Sequence, residues 1–343
     1  MKNLVVLLWV LLLVSCKSGN RNIIEVANFT GQQVTGVTVS EQGRVFANFP
    51  RWRKAVKNSV VEVDKSGQAI SYPNKKWNSW TLKAPISDSL FVAVQSVVAF
   101  ENNLYVLDTR NPLFKGVIGR PRIFVFNLDS NKLIQTYMLS EASFHGDSYI
   151  NDLRIDKKNK KAYMTDSGHA GLIILDLESG MFKRVLDNHF STSSELEWLS
   201  FDGIKWVNTV HSDGIALDIR KDLLYYHSLT GYSLFAVPTS ILINGSELEI
   251  HENIEFIKRT PAPDGMIFDS FGNLYLADLE KNRIMRLKAS DGKLEVFAEG
   301  EKIKWADTFS VYNDELYFTN SRINEATGAI DTMVFTINKI KID

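Results

Sequence analysis

The chain has 343 residues, of which 45% are hydrophobic, 11% aromatic and 23% charged, and its formal net charge at pH 7 is −1. This composition is typical of a globular protein and excludes an intrinsically disordered chain. The near-balance of acidic and basic residues argues against a nucleic-acid partner, which would require a strongly basic surface.

The N-terminal residues are typical of a bacterial export signal. Lys2 is followed by the apolar run LVVLLWVLLLVS, which is short for a membrane span and ends at Cys16, the only cysteine. The ending LVSC resembles a lipobox, in which the cysteine becomes acylated; the alternative, a membrane anchor helix, is disfavoured by the polar KSGN that follows. We therefore predict a lipoprotein signal peptide over residues 1–15, a lipid anchor at Cys16, a tether over 16–21 and a single domain over 22–343. The protein is then expected to be exported, to be held by its lipid at the periplasmic or cell-surface face of the outer membrane, and to be a monomer without a disulfide.

A hairpin pattern returns along the rest of the chain. In the copy DGMIFDSFGNLYLADL, which begins at Asp264, two short runs of β-formers flank a polar turn, and this pattern predicts a β-hairpin. Copies follow one another about every 50 residues, a spacing typical of propeller blades. The six copies begin at Thr35, Gln95, Asn151, Asp213, Asp264 and Asp307.

Further strand segments follow most of the hairpins. They lie at residues 122–128, 171–177, 232–238, 283–289 and 332–338. Three to four strands in each of six repeats, without a strong amphipathic helix between them, predict an all-β fold, a six-bladed β-propeller. A β-sandwich is the alternative, but it has no reason to repeat a hairpin at this spacing. A propeller must close its ring, and we expect residues 22–29 to add an outer strand to the last blade.

The opening residue of each copy is expected to lie at one mouth of the central channel. In any single copy Asp-Gly or Asn-Asp is an ordinary turn former. Three aspartates and an asparagine near one axis nevertheless repel unless a cation, a cationic ligand or raised pKa values relieve them, and oxygen ligands favour Ca²⁺ or Mg²⁺ over zinc. The predicted metal ligands are Asn151, Asp213, Asp264 and Asp307. Asp213 and Asp264 are also the catalytic candidates, together with His211, whose side chain can transfer protons near neutral pH.

Other polar and aromatic residues are given structural interpretations. The second acid of three copies (Asp156, Asp218 and Asp269) is expected in the hairpin turn. The basic segment RWRK, residues 51–54, is interpreted as a solvated loop. Four tryptophans lie in long connections, where they either cover the funnel or pack the blades. They are Trp77, Trp80, Trp198 and Trp206.

Several stretches resemble the major royal jelly protein/yellow family. Examples are RVFANFPRW, LYVLDTR and YYHSLTGYSLFAVPTSIL, and the resemblance extends from about Thr35 to Asn320. It implies a six-bladed propeller with a ligand site in its channel. Some insect members take part in dopachrome conversion, some salivary members bind biogenic amines, and bacterial relatives are described as dopachrome-tautomerase-related. The ligand contacts expected from this similarity and from the mouth positions are Gln95, Asn151, Asp264, Asp307, Thr308 and Asn320, with Phe318 nearby.

A more distant resemblance is to calcium-dependent lactonases of the gluconolactonase type. NDLRID and PDGMIFD place Asn151 and Asp264 as potential ligands, but Thr35 stands where those enzymes carry a glutamate. Three hypotheses therefore remain. The first is a funnel that binds a small aromatic amine or a quinone-like compound, with or without isomerising it. The others are a calcium-dependent lactonase and a non-enzymatic docking lipoprotein, so whether the protein is an enzyme stays open.

Overall fold

The computed structural model describes residues 21–342. Within them the strands form six four-stranded antiparallel sheets and one two-stranded hairpin. The six sheets pack as blades around a central channel, so the predicted six-bladed β-propeller is confirmed. The predicted signal peptide and Cys16 lie outside the described residues. In the described part, no helix has the length and apolar character needed to cross a membrane.

The elements follow the chain from blade to blade. The first strand is β1 (Ile24–Thr30). Blade 1 contains β2 (Gly36–Val39), β3 (Val45–Asn48), β4 (Val60–Val63) and β5 (Ala69–Ser71). Blade 2 contains β6 (Val94–Phe100), β7 (Asn103–Asp108), β8 (Arg122–Asn127) and β9 (Lys132–Met138). Blade 3 contains β10 (Ile150–Asp156), β11 (Lys161–Asp166), β12 (Gly171–Asp176) and β13 (Phe182–Val185).

The second half of the chain adds a hairpin and two short helices to the same plan. The hairpin consists of β14 (Trp198–Phe201) and β15 (Ile204–Val207). Blade 4 contains β16 (Ser212–Asp218), β17 (Leu223–Ser228), β18 (Ser233–Pro238), the helices α1 (Thr239–Asn244) and α2 (Glu247–Glu252), and β19 (Glu255–Arg259). Blade 5 contains β20 (Met266–Phe268), β21 (Leu274–Asp278), β22 (Arg283–Leu287) and β23 (Leu294–Glu299). Blade 6 contains β24 (Ala306–Tyr312), β25 (Glu315–Asn320) and β26 (Val334–Lys341). Single turns of 3₁₀ helix lie at Pro112–Phe114, Glu141–Ser143 and Leu279–Lys281.

The first strand of each blade lines the channel, because the six inner strands contact one another in a closed ring. They are β2, β6, β10, β16, β20 and β24. Behind this ring each sheet is covered by a neighbour on either side, so apolar residues are buried on both of its faces. Between blades 4 and 5, for example, Tyr225 and Leu234 pack with Leu274 and Met285.

The ring is closed by the N-terminal strand. β1 pairs antiparallel with β26, from Ile24 opposite Lys339 to Thr30 opposite Val334, and is the outer strand of blade 6. The outer strand that we predicted over residues 22–29 is therefore confirmed. This pairing joins the first and last segments of the domain in one sheet, which stabilises a ring built from separate sheets.

The hairpin turns use their acids as predicted. Asp156 accepts a hydrogen bond from the backbone N–H of Asn159, and Asp218 accepts one from the backbone N–H of Arg220. Asp269 accepts two, from the residues that close its turn. These carboxylates replace backbone acceptors inside the turns, and they lie outside the channel mouth.

Candidate functional site

A cavity of about 580 Å³ opens at the end of the channel where the inner strands begin. Five of the six predicted mouth residues line it, namely Gln95, Asn151, Asp213, Asp264 and Asp307. The sixth, Thr35, is buried, and its Oγ1 accepts a hydrogen bond from Asn48 Nδ2 at 3.1 Å. The repeat therefore brings side chains from five distant segments to one site.

Local irregularities in the inner strands direct these side chains toward the channel. In β6, β10, β16 and β24 the pairing with the second strand shifts register at the mouth. The shifts fall at Gln95, Asn151–Asp152, Asp213–Gly214 and Asp307–Thr308. A β-bulge bends its strand and re-aims the unpaired residue, so the mouth residues escape the regular in-and-out alternation.

The glycines of the Asp-Gly pairs allow adjacent inner strands to approach closely. A Cβ on Gly214 would lie 2.8 Å from the carbonyl oxygen of Asp264, and a Cβ on Gly265 would lie 2.6 Å from the carbonyl oxygen of Asp307. Any side chain at either position would have to push the neighbouring strand away. Glycine at these positions thus keeps three aspartates on consecutive blades within reach of one another.

Asp213 and Asp264 form a hydrogen-bonded pair at the bottom of the cavity. Burial, reinforced by the charges of Asp264 and Asp307, raises the pKa of Asp213 well above its usual value. Burial also raises the pKa of Asp264, to about 7, although the indole N–H of Trp305 donates a hydrogen bond to its Oδ2 at 2.6 Å and opposes the shift. Burial and Asp264 raise the pKa of Asp307 in the same way. A cation, a cationic ligand or raised pKa values were expected to relieve the repulsion within the acidic cluster. Raised pKa values are the one of these three that the side chains provide themselves.

The amides at the mouth are fixed by a chain of hydrogen bonds. Gln95 Nε2 donates to Asn151 Oδ1 at 2.7 Å, and the hydroxyl of Tyr149 donates to Gln95 Oε1 at 2.8 Å. The indole N–H of Trp52 in turn donates to the hydroxyl oxygen of Tyr149. Two blades and a connecting loop therefore hold this side of the mouth in one arrangement.

Aromatic rings form much of the cavity wall. Phe114 stacks on Trp52, with ring centroids 5.6 Å apart, and lies 4.8 Å from the ring of Tyr149. Trp206 packs edge-on against Trp305 at 5.0 Å. Each of these five residues lines the cavity. The site therefore combines carboxyl groups at its floor with flat apolar surfaces around them.

The segment RWRK is part of this wall, so its interpretation as a solvated loop was wrong. Arg51 is buried, and both Trp52 and Arg53 line the cavity. The guanidinium of Arg53 donates to Gln33 Oε1 and to the carbonyl oxygen of Ala326, and burial lowers its pKa. The chain turns inward here because the loop after β3 crosses the mouth of the propeller.

The four tryptophans of the long connections have different roles. Trp206 lies on the β14–β15 hairpin and lines the cavity, as do the residues that follow the hairpin. Trp77 packs against Phe91 inside a blade and Trp80 is buried. Trp198 is more exposed and stands on the same hairpin as Trp206. Only one of the four thus covers the funnel.

Below the aspartates an ion pair lies on β10, and its arginine reaches across the channel. Arg154 Nη2 lies 3.2 Å from Asp152 Oδ2 and donates to the carbonyl oxygen of Met266, two blades away, at 2.8 Å. Asp152 Oδ1 also accepts from the hydroxyl of Ser96 at 3.0 Å. We did not single out this pair from the sequence, although the alternation in NDLRID places Asp152 and Arg154 on one side of β10. The charge of Asp152 contributes to the raised pKa values of Asp213, Asp264 and Asp307.

Four of the proposed site residues lie behind the cavity wall. His211 Nδ1 accepts from the backbone N–H of Ser194 at 3.1 Å, and burial lowers its pKa. Thr308 is buried beside Asp307, and Phe318 is fully buried in a hydrophobic core. Asn320 binds the backbone of residues 302 and 304. The cavity is lined instead by residues that precede these positions or face them from other blades.

The described residues also contain a group of side chains that converge as metal ligands do, away from the mouth aspartates. In residues 21–342, one set of three His, Cys, Asp or Glu residues brings its ligand atoms within 4.8 Å of one another, and it consists of His145, His169 and Asp187. The mouth aspartates do not form such a set. Calcium or magnesium at Asn151, Asp213, Asp264 and Asp307 stays a prediction.

Known proteins share both the sequence features and the fold. The sequence model of the major royal jelly protein family matches residues 93–341. A dopaminechrome tautomerase from Drosophila melanogaster is 23% identical over 218 residues, which cover 59% of this chain and 47% of the fly protein. The match thus spans about half the length of that relative.

Solved structures with the same architecture have very different sequences. A luciferin-regenerating enzyme superposes with a TM-score of 0.60 at 10% identity, covering 94% of this chain and 97% of its own. A gluconolactonase from Xanthomonas campestris superposes with a TM-score of 0.59 at 13% identity, covering 95% and 91%. Virginiamycin B lyase from Staphylococcus aureus gives 0.54 at 14%, covering 94% and 99%. These likenesses establish the propeller fold alone. The family match covers most of the chain and agrees with the motifs in its sequence, and the chain belongs to the major royal jelly protein family.

Proposed function

We propose that the funnel binds a small aromatic amine or an aminochrome-type quinone and catalyses a proton shift within the quinone. One observation carries this proposal. The buried Asp213–Asp264 pair, with the pKa of Asp264 raised to about 7, lies at the floor of a cavity walled by aromatic rings. The name of the fly relative, dopaminechrome tautomerase, supports the same substrate class.

The cavity suits a single-ring or fused-ring aromatic ligand. Small-molecule sites usually enclose about 300–1,000 Å³, and this cavity of about 580 Å³ falls inside that range. The faces of Trp52 and Trp206 offer stacking surfaces, and indole faces also attract ammonium groups. An amine that reaches the floor meets Asp264 and Asp213, whose ionised forms it would stabilise.

A tautomerisation needs only a base and an acid at the floor. One group takes a proton from a ring carbon while another gives a proton to the quinone oxygen, so atoms and electrons balance without an oxidant. Ionised Asp264 is suited to the first role because a general base works best with a pKa near the operating pH. Asp213, whose pKa burial raises well above its usual value, is suited to the second. The two groups are hydrogen-bonded, so a proton can return from one to the other after turnover.

The test compares the native chain with Asp264→Asn and Asp213→Asn. Dopamine and serotonin are titrated by calorimetry, and dopaminechrome and dopachrome decay is followed by absorbance. We expect micromolar amine binding, and a fall in turnover of about 100-fold or more in either variant. Asp291→Asn, in an exposed turn, is the matched control and should behave as the native protein does. Absence of both binding and turnover across the four compounds would refute the proposal, as would full turnover by Asp264→Asn.

A further inference from the structure

Three side chains with metal-binding atoms converge at the rim of blade 3, outside the cavity. His145 Nε2 lies 3.1 Å from Asp187 Oδ2, and His169 Nε2 lies 3.8 Å from Asp187 Oδ1. The two imidazole rings stack with centroids 3.7 Å apart. We call His145, His169 and Asp187 the rim cluster.

The rim cluster joins three separate segments at the mouth end of blade 3. His145 lies in the loop before β10, His169 in the turn between β11 and β12, and Asp187 just after β13. All three segments lie at the end of the blade where β10 begins, which is the end that carries the cavity. An ion bound by these three residues would cross-link the three segments.

Hydrogen bonds place a lone pair on the outer nitrogen of His169, and a metal at this nitrogen would replace the hydrogen bond from Asn188. Asn188 Nδ2 lies 3.0 Å from His169 Nε2, and because an amide nitrogen only donates, this Nε2 carries a lone pair. The proton is then on Nδ1, which donates to Asp147 Oδ1 at 3.1 Å. A carboxylate behind a histidine in this way fixes the tautomer and raises the basicity of the ligating nitrogen, as it does in zinc proteins.

The geometry and the donor set favour one class of ion. We propose that the rim cluster binds a divalent transition-metal ion, with Zn²⁺ as the best match, through His145, His169 and one oxygen of Asp187. Tetrahedral zinc with ligands at about 2.0–2.1 Å places those ligands about 3.3–3.4 Å apart. His145 Nε2 and Asp187 Oδ2 lie 3.1 Å apart, and one ligand atom from each of the three residues lies within 4.8 Å of the others. Two imidazoles and a single carboxylate suit zinc or copper, whereas calcium and magnesium require more oxygen ligands.

The charges around the rim cluster leave room for a dication. Arg184 Nε lies 2.5 Å from Asp187 Oδ1, and its Nη1 lies 2.9 Å from Asp166 Oδ2. Asp147, which lies behind His169, is the third carboxylate near the rim cluster. Three carboxylates and one guanidinium give a net charge of about −2, which a divalent ion would balance. Because Arg184 occupies Oδ1, Asp187 would present Oδ2, the oxygen nearer His145, to the metal.

A bound ion would stiffen one wall of the funnel. The loop that carries His145 continues to Tyr149, and the turn that carries His169 contains Ser167, and both of these residues line the cavity. The two segments already meet, since the backbone N–H of Ser167 donates to the carbonyl oxygen of Tyr149 at 3.0 Å. The metal site stands on its own geometry and does not depend on the reaction proposed for the funnel.

The experiment titrates Zn²⁺ into untagged, metal-free protein by calorimetry and Co²⁺ by absorbance. We expect one saturable site per chain with a micromolar or tighter Kd, and Co²⁺ d–d bands of a four-coordinate site. His145→Gln and His169→Gln should each weaken binding at least about tenfold. His251→Gln is the matched control, because His251 stacks on His189 outside the rim cluster, and it should bind Zn²⁺ as the native chain does.

Two results would overturn the site. One is the lack of saturable binding at 100-fold excess of Zn²⁺ over about 1 μM protein. The other is equal binding by the native chain and both rim variants, which would assign the ion elsewhere. Circular dichroism spectra like that of the native chain show that a variant has folded, and the exposed Asp187→Asn provides an additional variant should a histidine substitution fail to fold.

Discussion

Replacing Trp305 by phenylalanine should move the titration of the funnel to higher pH. The substitution keeps an aromatic ring but removes the indole N–H that donates to Asp264 Oδ2 at 2.6 Å. That hydrogen bond favours the ionised carboxylate and holds the pKa of Asp264 down, at about 7, against the opposing effect of burial. Without it, the pKa of Asp264 must rise.

The size of the shift follows from the strength of the bond. A hydrogen bond to a charged group contributes about 1.5–3 kcal/mol, and one pKa unit corresponds to about 1.4 kcal/mol. We therefore expect the pKa of Asp264 to rise by about 1–2 units in Trp305→Phe. At pH 7 the ionised fraction, and with it base catalysis and amine affinity, should fall by about tenfold, while the value at high pH stays near that of the native protein.

The assay is the pH dependence of kcat/KM for dopaminechrome and of the Kd for serotonin. Because Asp213 and Asp264 titrate together, the measured midpoint belongs to the pair. Trp206→Phe is the control, since in the described structure Trp206 contacts the ring of Trp305 and lines the cavity without a hydrogen bond to Asp264. The account of the site would be refuted if Trp305→Phe had the same titration midpoint as the native protein. The variant must also have the same thermal unfolding temperature as the native protein.

Three further predictions concern pH, metal and ring closure. Folding raises the pKa of Asp264, so the native state should lose stability as pH rises. Between pH 5 and 8 the free energy of unfolding of the native protein should fall by roughly 2–4 kcal/mol more than that of Asp264→Asn in urea titrations. Parallel pH profiles of the two proteins would contradict this. Chelation with EDTA should leave the serotonin affinity of His169→Gln, which lacks the rim site, unchanged because protons relieve the acidic cluster. Loss of affinity in that variant would favour the calcium hypothesis and with it the lactonase. Phe29→Ala should destabilise the protein by about 3 kcal/mol, because the ring of Phe29 on β1 packs against that of Phe49 of blade 1, with centroids 5.0 Å apart. Ile24→Ala, at an exposed position of the same strand, is the control and should destabilise the protein by under about 1 kcal/mol. Equal effects of the last two substitutions would show that β1 does not join the blades through Phe29.

The mouth of the funnel was predictable because it depends on local patterns that repeat. Alternating β-formers around polar turns define hairpins, and Asp-Gly or Asn-Asp at the start of three of the six copies marks the inner strands there. Asp213, Asp264 and Asp307 could thus be placed together without coordinates. The closing strand was predictable for a similar reason, since one β segment stood before the first copy and a ring needs a partner for its last sheet.

The aromatic wall and the contacts beneath the aspartates could not be predicted in the same way. Trp52 and Phe114 come from loops whose direction depends on how the blades pack, and no period in the sequence marks them. The hydrogen bond from Arg154 on β10 to the carbonyl oxygen of Met266 on β20 became visible only in the structure, because the two strands lie two blades apart. Phe318 is the opposite case. The family resemblance predicted it near the ligand, but in the structure its ring is buried in a hydrophobic core.

The sequence by itself determined that the chain forms repeated hairpins, that these close into a ring, and which acids stand at the mouth. These properties depend on neighbours in the chain, through backbone hydrogen bonding and the alternation of side chains along a strand. Only the tertiary structure decided which rings cover the acids, which acids have raised pKa values, and that His145, His169 and Asp187 meet at the rim. Burial, charge proximity and contact between distant loops are set by the packing of whole blades, and a linear pattern of residues does not contain them.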